Sequence, residues 1–266
     1  MSQFKEAKKI FLDTIDANDY FDSFGSEQAK EKLQMALKAE DASMVFLLGN
    51  PGSGKSFLLN YLFQKDDNKK IIKYIKHPYF DRDKFLKTLL EDTGIGIEGV
   101  DFDTVIQILK HQYKNLEHTI FIDEAQLLSD EQLEMIRILS DMRIFRFVLA
   151  MHKQEGLDIL NKPHFKTRAV KTIYLHSLEN SEIARYIQSK LLSGSYASIS
   201  QMLNDKHYKM IAKFTNRNFR TLKKYFYTVM ELMDYAIENS LSKYQIINRP
   251  ILTMAAIDIG TINVKS

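Results

Sequence analysis

Gly49-Asn50-Pro51-Gly52-Ser53-Gly54-Lys55-Ser56 fits the pattern G-x-x-x-x-G-K-[ST] without a mismatch, and its flanks narrow the fold further. Met44 to Leu48 is an apolar run that reads as a buried strand entering the turn, and Phe57 to Phe63 reads as the helix leaving it. A strand, a glycine-rich turn and a helix N-terminus together aim backbone N–H groups at an anion, where the helix dipole also favours negative charge. An accidental glycine turn would need neither flank. The segment from Gly49 to Phe57 is therefore expected to cradle the phosphates of ATP. Lys55 would reach the β- and γ-phosphates, and the Ser56 hydroxyl would hold Mg2+.

A second signal lies downstream at Thr119-Ile120-Phe121-Ile122-Asp123-Glu124-Ala125-Gln126. An apolar strand here ends in two adjacent carboxylates, at the carboxyl edge of a parallel sheet, where ligands of such sheets bind. Taken alone, two acids after a strand can equally cap the next helix. One or two strand-helix units beyond a P-loop, they read as a Walker B pattern. Asp123 would complete the magnesium shell, usually through water, and Glu124 would orient and activate the attacking water.

Composition excludes more than it selects. The 266 residues, 45% of them hydrophobic, suffice for one large domain and a smaller one. A net charge of +3 demands neither nucleic acid nor a membrane surface. With no cysteine there is no disulfide framework and no thiolate metal site. No apolar run approaches a membrane span, and the N-terminus, with Glu6 and Asp13, lacks a signal peptide's apolar stretch. The expected location is cytoplasmic, with peripheral association at the inner membrane left open.

Taken in order, Ser2 to Ile15 carries Phe4, Ala7, Phe11 and Ile15 at helical spacing, either as an N-terminal arm (1–25) or packed on its own domain. Tyr20-Phe21 and Phe24-Gly25 read as an aromatic turn, and Ser26 as the cap of a helix to about Ala39. Ile71 to Ile75 is a strand ended by His77-Pro78, and His77 has no partner cluster that would give it chemistry. Helices follow at Asp81–Leu90 and Asp101–Tyr113. The glycines between them, Gly94, Gly96 and Gly99, follow no strand and so form no second nucleotide fingerprint. Beyond a helix from Asp130 to Ser140 and a strand from Phe145 to Ala150, a polar side chain in Met151-His152-Lys153-Gln154 would point between the two motifs. His152 is the first choice for that sensor and Gln154 the second. Arg168, just before a last strand from Val170 to Leu175, is well placed to reach a neighbour's γ-phosphate.

Tyr20-Phe21, the P-loop, the strand ending in His77-Pro78, Asp123-Glu124-Ala125-Gln126 with Leu127-Leu128-Ser129, and the segment from Val148 through Arg168 together resemble the ExeA-like branch of AAA+ ATPases. The resemblance runs along most of the chain. It implies that His152 stands where the family usually has a glutamine as first sensor, a departure, and that Arg168 is the arginine finger. Named members act in type II secretion, and relatives act in transposition as TnsC-like and MuB-like DNA-binding ATPases. The periplasmic extension and membrane helix of full-length ExeA have no counterpart here, so that exact role is not carried over.

From Asn180 the pattern is helical only, with Ser181–Leu192, Asp205–Phe214, Phe219–Asn239 and a final apolar helix from Ile251 to Ile259. In Asn216-Arg217-Asn218-Phe219-Arg220, Arg220 resembles the family's second sensor, with Arg217 the runner-up. Between Lys206 and Met230 there is no acid, while lysines and arginines interleave with Tyr208, Phe214, Phe219, Tyr225, Phe226 and Tyr227. Such a stretch can grip phosphates and stack on bases, making segment 206–224 a possible DNA contact, although aromatics at helical spacing usually fill a core.

The expected fold is α/β: a P-loop (AAA+) parallel sheet flanked by helices in 26–176, an all-helical lid in 177–244 and a C-terminal helix or tail in 245–266. The expected function is an ATP-hydrolysing homo-oligomer, energising or assembling a secretion or DNA-uptake envelope machine. The alternative is a DNA-binding regulator of transposition. A non-hydrolysing scaffold is disfavoured by Glu124, and a helicase by the lack of a second RecA-like domain.

Overall fold

Apolar runs without polar alternation suit a parallel sheet buried on both faces, and the computed structural model contains one. It describes residues 2–14, 16–78, 82–96, 98–113, 117–166 and 170–263. One unit gathers Met1–Thr14, Phe21–Gly25 and Ser177–Ser266 and opens with α1 (Gln3–Ala7), and the other gathers Ile15–Tyr20 and Ser26–His176. In the latter, α2 (Phe24–Lys38), whose first two residues belong to the other unit, leads to β1 (Met44–Gly49), α3 (Lys55–Gln64) and β2 (Ile71–Ile75). Then come α4 (Arg82–Leu90), α5 (Phe102–Gln112), β3 (Thr119–Ile122), α6 (Asp130–Asp141) and β4 (Arg146–His152). The unit closes with α7 (Lys153–Leu160), α8 (Pro163–Lys166) and β5 (Lys171–Leu175).

All strand pairs are parallel, and the five strands lie in the order β2-β3-β4-β1-β5. Successive residues of a strand point to opposite faces, and each face meets its own helices. Met44, Phe46 and Leu48 of β1 join Phe147 and Leu149 of β4 under α4, α5 and α6. Val45, Leu47, Val148 and Ala150 instead pack against α2 and α3 through Leu33, Leu58 and Leu59. Because β4 separates β1 from β3, the P-loop and Asp123 emerge from non-adjacent strands, about 10 Å apart at ordinary strand spacing.

In the helical unit, α9 (Asn180–Ser193), α10 (Ala197–Gln201), α11 (Asp205–Phe214), α12 (Phe219–Glu238) and α13 (Arg249–Asp258) share one core. The N-terminal segment packs into it: Phe4, Ala7 and Phe11 are buried, and the Phe11 ring lies 5.0 Å from that of Phe226.

Several local expectations are corrected. The first helix stops short, tightening into a 3-10 turn at Lys8–Phe11, as isolated short helices do at their ends; Ile15 lies outside the described residues. Ser26 is not a cap, because α2 already begins at Phe24, whose N–H donates to the Glu182 carboxylate at 2.6 Å. A distant carboxylate supplied the acceptor that sequence reading sought nearby. The fourth strand continues to His152, and α7 starts at once, so Met151 to Gln154 is not a loop.

Candidate functional site

The turn after β1 needs glycine for two distinct reasons. Gly54 sits at φ 101°, a left-handed conformation unfavourable for a side chain. At Gly49 a Cβ would meet the Ser53 Oγ at 2.5 Å and the Leu175 carbonyl oxygen at 2.9 Å, so there is no room for one. The Ser53 hydroxyl is buried and has no hydrogen-bond partner among the described residues, an unusual state for a polar group outside a binding loop. Lys55 opens α3 and is buried, its Nζ donating back to the carbonyls of Gly49 (2.9 Å) and Asn50 (3.2 Å).

Asp123 leaves the end of β3 with 4% of its surface exposed. Its carboxylate accepts from the Glu124 N–H at 3.0 Å and from the Tyr74 hydroxyl at 3.2 Å. Burial nevertheless pushes its carboxyl above the ordinary carboxylate value, and Glu124 adds to the rise. The Tyr74 hydroxyl also donates to the Ser56 carbonyl at 3.2 Å and so ties the two motifs together, with the Ser56 side chain near the Asp123 carboxylate. A hydroxyl beside a buried carboxylate is a hard oxygen pair of the kind Mg2+ takes, with water and phosphate oxygens completing its shell. Among the described residues no group of three His, Cys, Asp or Glu could hold a metal ion, so this pair is the cation candidate that the motifs supply.

Glu124 has φ 49°, left-handed for a residue with a side chain, and such strain concentrates at functional sites. Its carboxylate accepts from the Gln126 side chain and lies 3.8 Å from the His152 Nε2. The register explains that approach: Gly49 pairs with His152, and Leu149 pairs with Ile122, so the end of β4 stands between the P-loop and the two acids. The His152 Nδ1 lies 3.5 Å from Glu155. Gln154 instead donates to Asp158 on the exposed side of α7.

Ser56, Asp123, Glu124 and His152 are thus brought together, with Lys55 beside them on the P-loop. Asn50 and Pro51 are exposed on its rim, Gly52 is left-handed, and Phe57 sits in the first turn of α3. Arg168 lies outside the described residues. Arg220 belongs to the helical unit, in the first turn of α12, where its Nε donates to Asp13 at 3.1 Å. Sequence reading missed Tyr74 and Gln126 as partners of the acids. A tyrosine in an apolar strand carries no signal of its own, whereas Gln126 stood in the motif without a role.

The stacking half of the expected nucleic-acid contact is overturned. Tyr225 and Phe226 are wholly buried, Tyr208 nearly so, and Phe214, Phe219 and Tyr227 are half-buried against the same core.

Residues 38–160 match a family model described as AAA domain. No curated protein matches significantly. Among solved structures, Cdc6p from Pyrobaculum aerophilum is similar at a TM-score of 0.63 and 16% identity, over 88% of this chain and 66% of that one. The ORC1 protein of Aeropyrum pernix in complex with DNA is similar at 0.59 and 14%, over 95% and 69%. A RuvB variant of Thermotoga maritima is similar at 0.51 and 19%, over 86% and 67%. The chain spans about two thirds of the length of these proteins. The sheet, its flanking helices and the helical unit make up a P-loop AAA+ fold.

Proposed function

We propose that this chain binds ATP with Mg2+ and hydrolyses it as a homo-oligomer. The observation that carries the reading is the bridge made by the Tyr74 hydroxyl, which donates to the Ser56 carbonyl and to the buried Asp123 carboxylate and so joins the phosphate loop to the two acids. The bound Mg2+ would neutralise charge on the terminal phosphates. Ser56 and Asp123 would hold it, and Lys55 would exchange its two carbonyl acceptors for phosphate oxygens. Glu124 orients and deprotonates the attacking water, kept in position by Gln126 and by His152 acting as first sensor. Arg220 serves as second sensor, and Arg168 acts in trans on a neighbour's γ-phosphate, so that turnover requires assembly.

Turnover by Glu124→Gln and nucleotide binding by Lys55→Ala test this. Glu124→Gln is expected to keep ATP affinity and lose about 100-fold or more in turnover. Lys55→Ala is expected to lose affinity. Undiminished turnover in the first variant, or no adenine nucleotide bound by the wild type, refutes the reading. Turnover should also rise with protein concentration, and Arg168→Ala mixed into wild type should poison it. Independence from both removes action in trans.

The output we propose is energising or assembling an envelope machine for secretion or DNA uptake, supported by the ExeA-like motifs. A transposition-type DNA-bound regulator is the second reading, favoured by the exposed cations of α11 and by the DNA complex of the similar ORC1 protein. Stable association with inner-membrane components would select the first; DNA binding that ATP strengthens, without such association, would select the second.

A further inference from the structure

We infer that the outer face of α11 grips the phosphate backbone of duplex DNA and reads no bases. Seven cations lie in the acid-free run that starts at Lys206, and their surroundings sort them. Lys223 is buried, its Nζ donating to the Thr14 carbonyl, and Arg220 is engaged by Asp13. Lys206, Lys209, Lys213, Arg217 and Lys224 are exposed and make no ion pair among the described residues.

Lys206, Lys209 and Lys213 are three and four residues apart and so share one face of α11, while Tyr208, Ile211 and Ala212 take the other into the core. From Lys206 to Lys213 the helix rises about 10 Å, the length of about three phosphates along one DNA strand. Asp205 is the only acid of this helix. Arg217 joins the face because Asn216 and Arg217 both turn left-handed after α11, at φ 47° and 56°, pinned by hydrogen bonds from Arg217 N–H to the Ala212 carbonyl and from Leu178 N–H to the Arg217 carbonyl. The result is a cleft of about 330 Å³ lined by Asn180, Lys209, Ala212, Lys213, Asn216 and Arg217.

The lining contains cations and amides, with one alanine as its apolar part and no acid. A protein partner would be met by aromatic or aliphatic anchors, which this cleft lacks. Single-stranded nucleic acid would be met by exposed aromatic rings, and those of this segment fill the core. Backbone phosphates need only the cations. The face lies wholly within the helical unit, so the inference is independent of the proposed ATP chemistry.

The test is fluorescence anisotropy of the whole protein with a labelled random-sequence duplex and a single strand of equal length, between about 50 and 200 mM salt. The duplex is expected to bind with little sequence preference and a steep salt slope. The double substitution Lys209→Gln, Lys213→Gln should lower that slope by about two and weaken binding about 10-fold or more on every sequence. Lys65→Gln with Lys70→Gln, on the other unit, should leave it unchanged, and unchanged melting temperatures show that both variants fold. No duplex binding at low salt, binding indifferent to the α11 substitutions, tighter binding of the single strand, or binding only to an acidic peptide such as polyglutamate would each overturn the proposal. Basal ATP turnover is measured on the same preparations, so failure of the ATPase reading is seen separately.

Discussion

Tyr74 carries one proton between two acceptors, the Asp123 carboxylate and the Ser56 carbonyl. Burial, with the Asp123 and Glu124 charges beside it, pushes its ionisation far above the ordinary tyrosine value, so it stays a donor. Tyr74→Phe keeps the ring beside Phe63 and removes only that donor. The Mg2+ needed for half-maximal turnover should rise about 10-fold, with nucleotide affinity in EDTA unchanged. A magnesium titration unmoved by the substitution would reduce Tyr74 to packing.

Asp123 makes a pH-dependent prediction. Its carboxyl is raised above 3.8 chiefly by burial. The folded state therefore holds the proton more tightly than the unfolded chain, and without a cation this residue's contribution is most favourable below 3.8 and is lost as pH rises through the folded value. Metal-free Asp123→Asn is expected to melt above the wild type at neutral pH, with the gap closing as pH falls. Thermal melts across that range check it. At Gly49, where a methyl group would collide with Ser53 and the Leu175 carbonyl, alanine should cost about 1–3 kcal/mol in chemical denaturation.

At the scale of elements, the strands were legible because those at the centre of the sheet are nearly continuous apolar runs, and β2 and β3 match their expected bounds. The start of α2 was less so, since its cap comes from elsewhere in the chain: Glu182 is 158 residues from Phe24. The acids and the P-loop could be read from spacing alone, but not the Tyr74 hydroxyl, because its partner lies on β3 and strand pairing is not written in any local pattern. The basic-aromatic run was legible as composition and misleading as chemistry, because only burial separates a stacking ring from a core ring. The segment ahead of α2 gives an element-scale prediction. Phe11 is buried against Phe226, and Phe11→Ala should cost about 3–5 kcal/mol, read by denaturation of the helical unit. A loss below 1 kcal/mol would mean that the segment is an appendage.

For the whole molecule, no helix among the described residues is long and apolar enough to cross a membrane. Nucleotide should act on the entire fold by mass action: ATP with Mg2+ at about 100 times its dissociation constant stabilises by about 2.7 kcal/mol, a shift of a few degrees in melting temperature. Lys55→Ala should abolish the shift. A shift of equal size in that variant would locate the nucleotide away from the P-loop.

The wedge of β4 between β1 and β3 has a consequence for how such a chain can vary. Side chains alternate along a strand, so one residue inserted between Phe147 and Ala150 would swing His152 to the opposite side of the sheet and trade the hydrophobic partners of the strand's outer half. Lengthening the turn at Arg143 would do neither. Gene variants with longer surface turns should therefore be recoverable as active proteins, while a single codon gained in the middle of the sheet should silence the molecule with every motif intact.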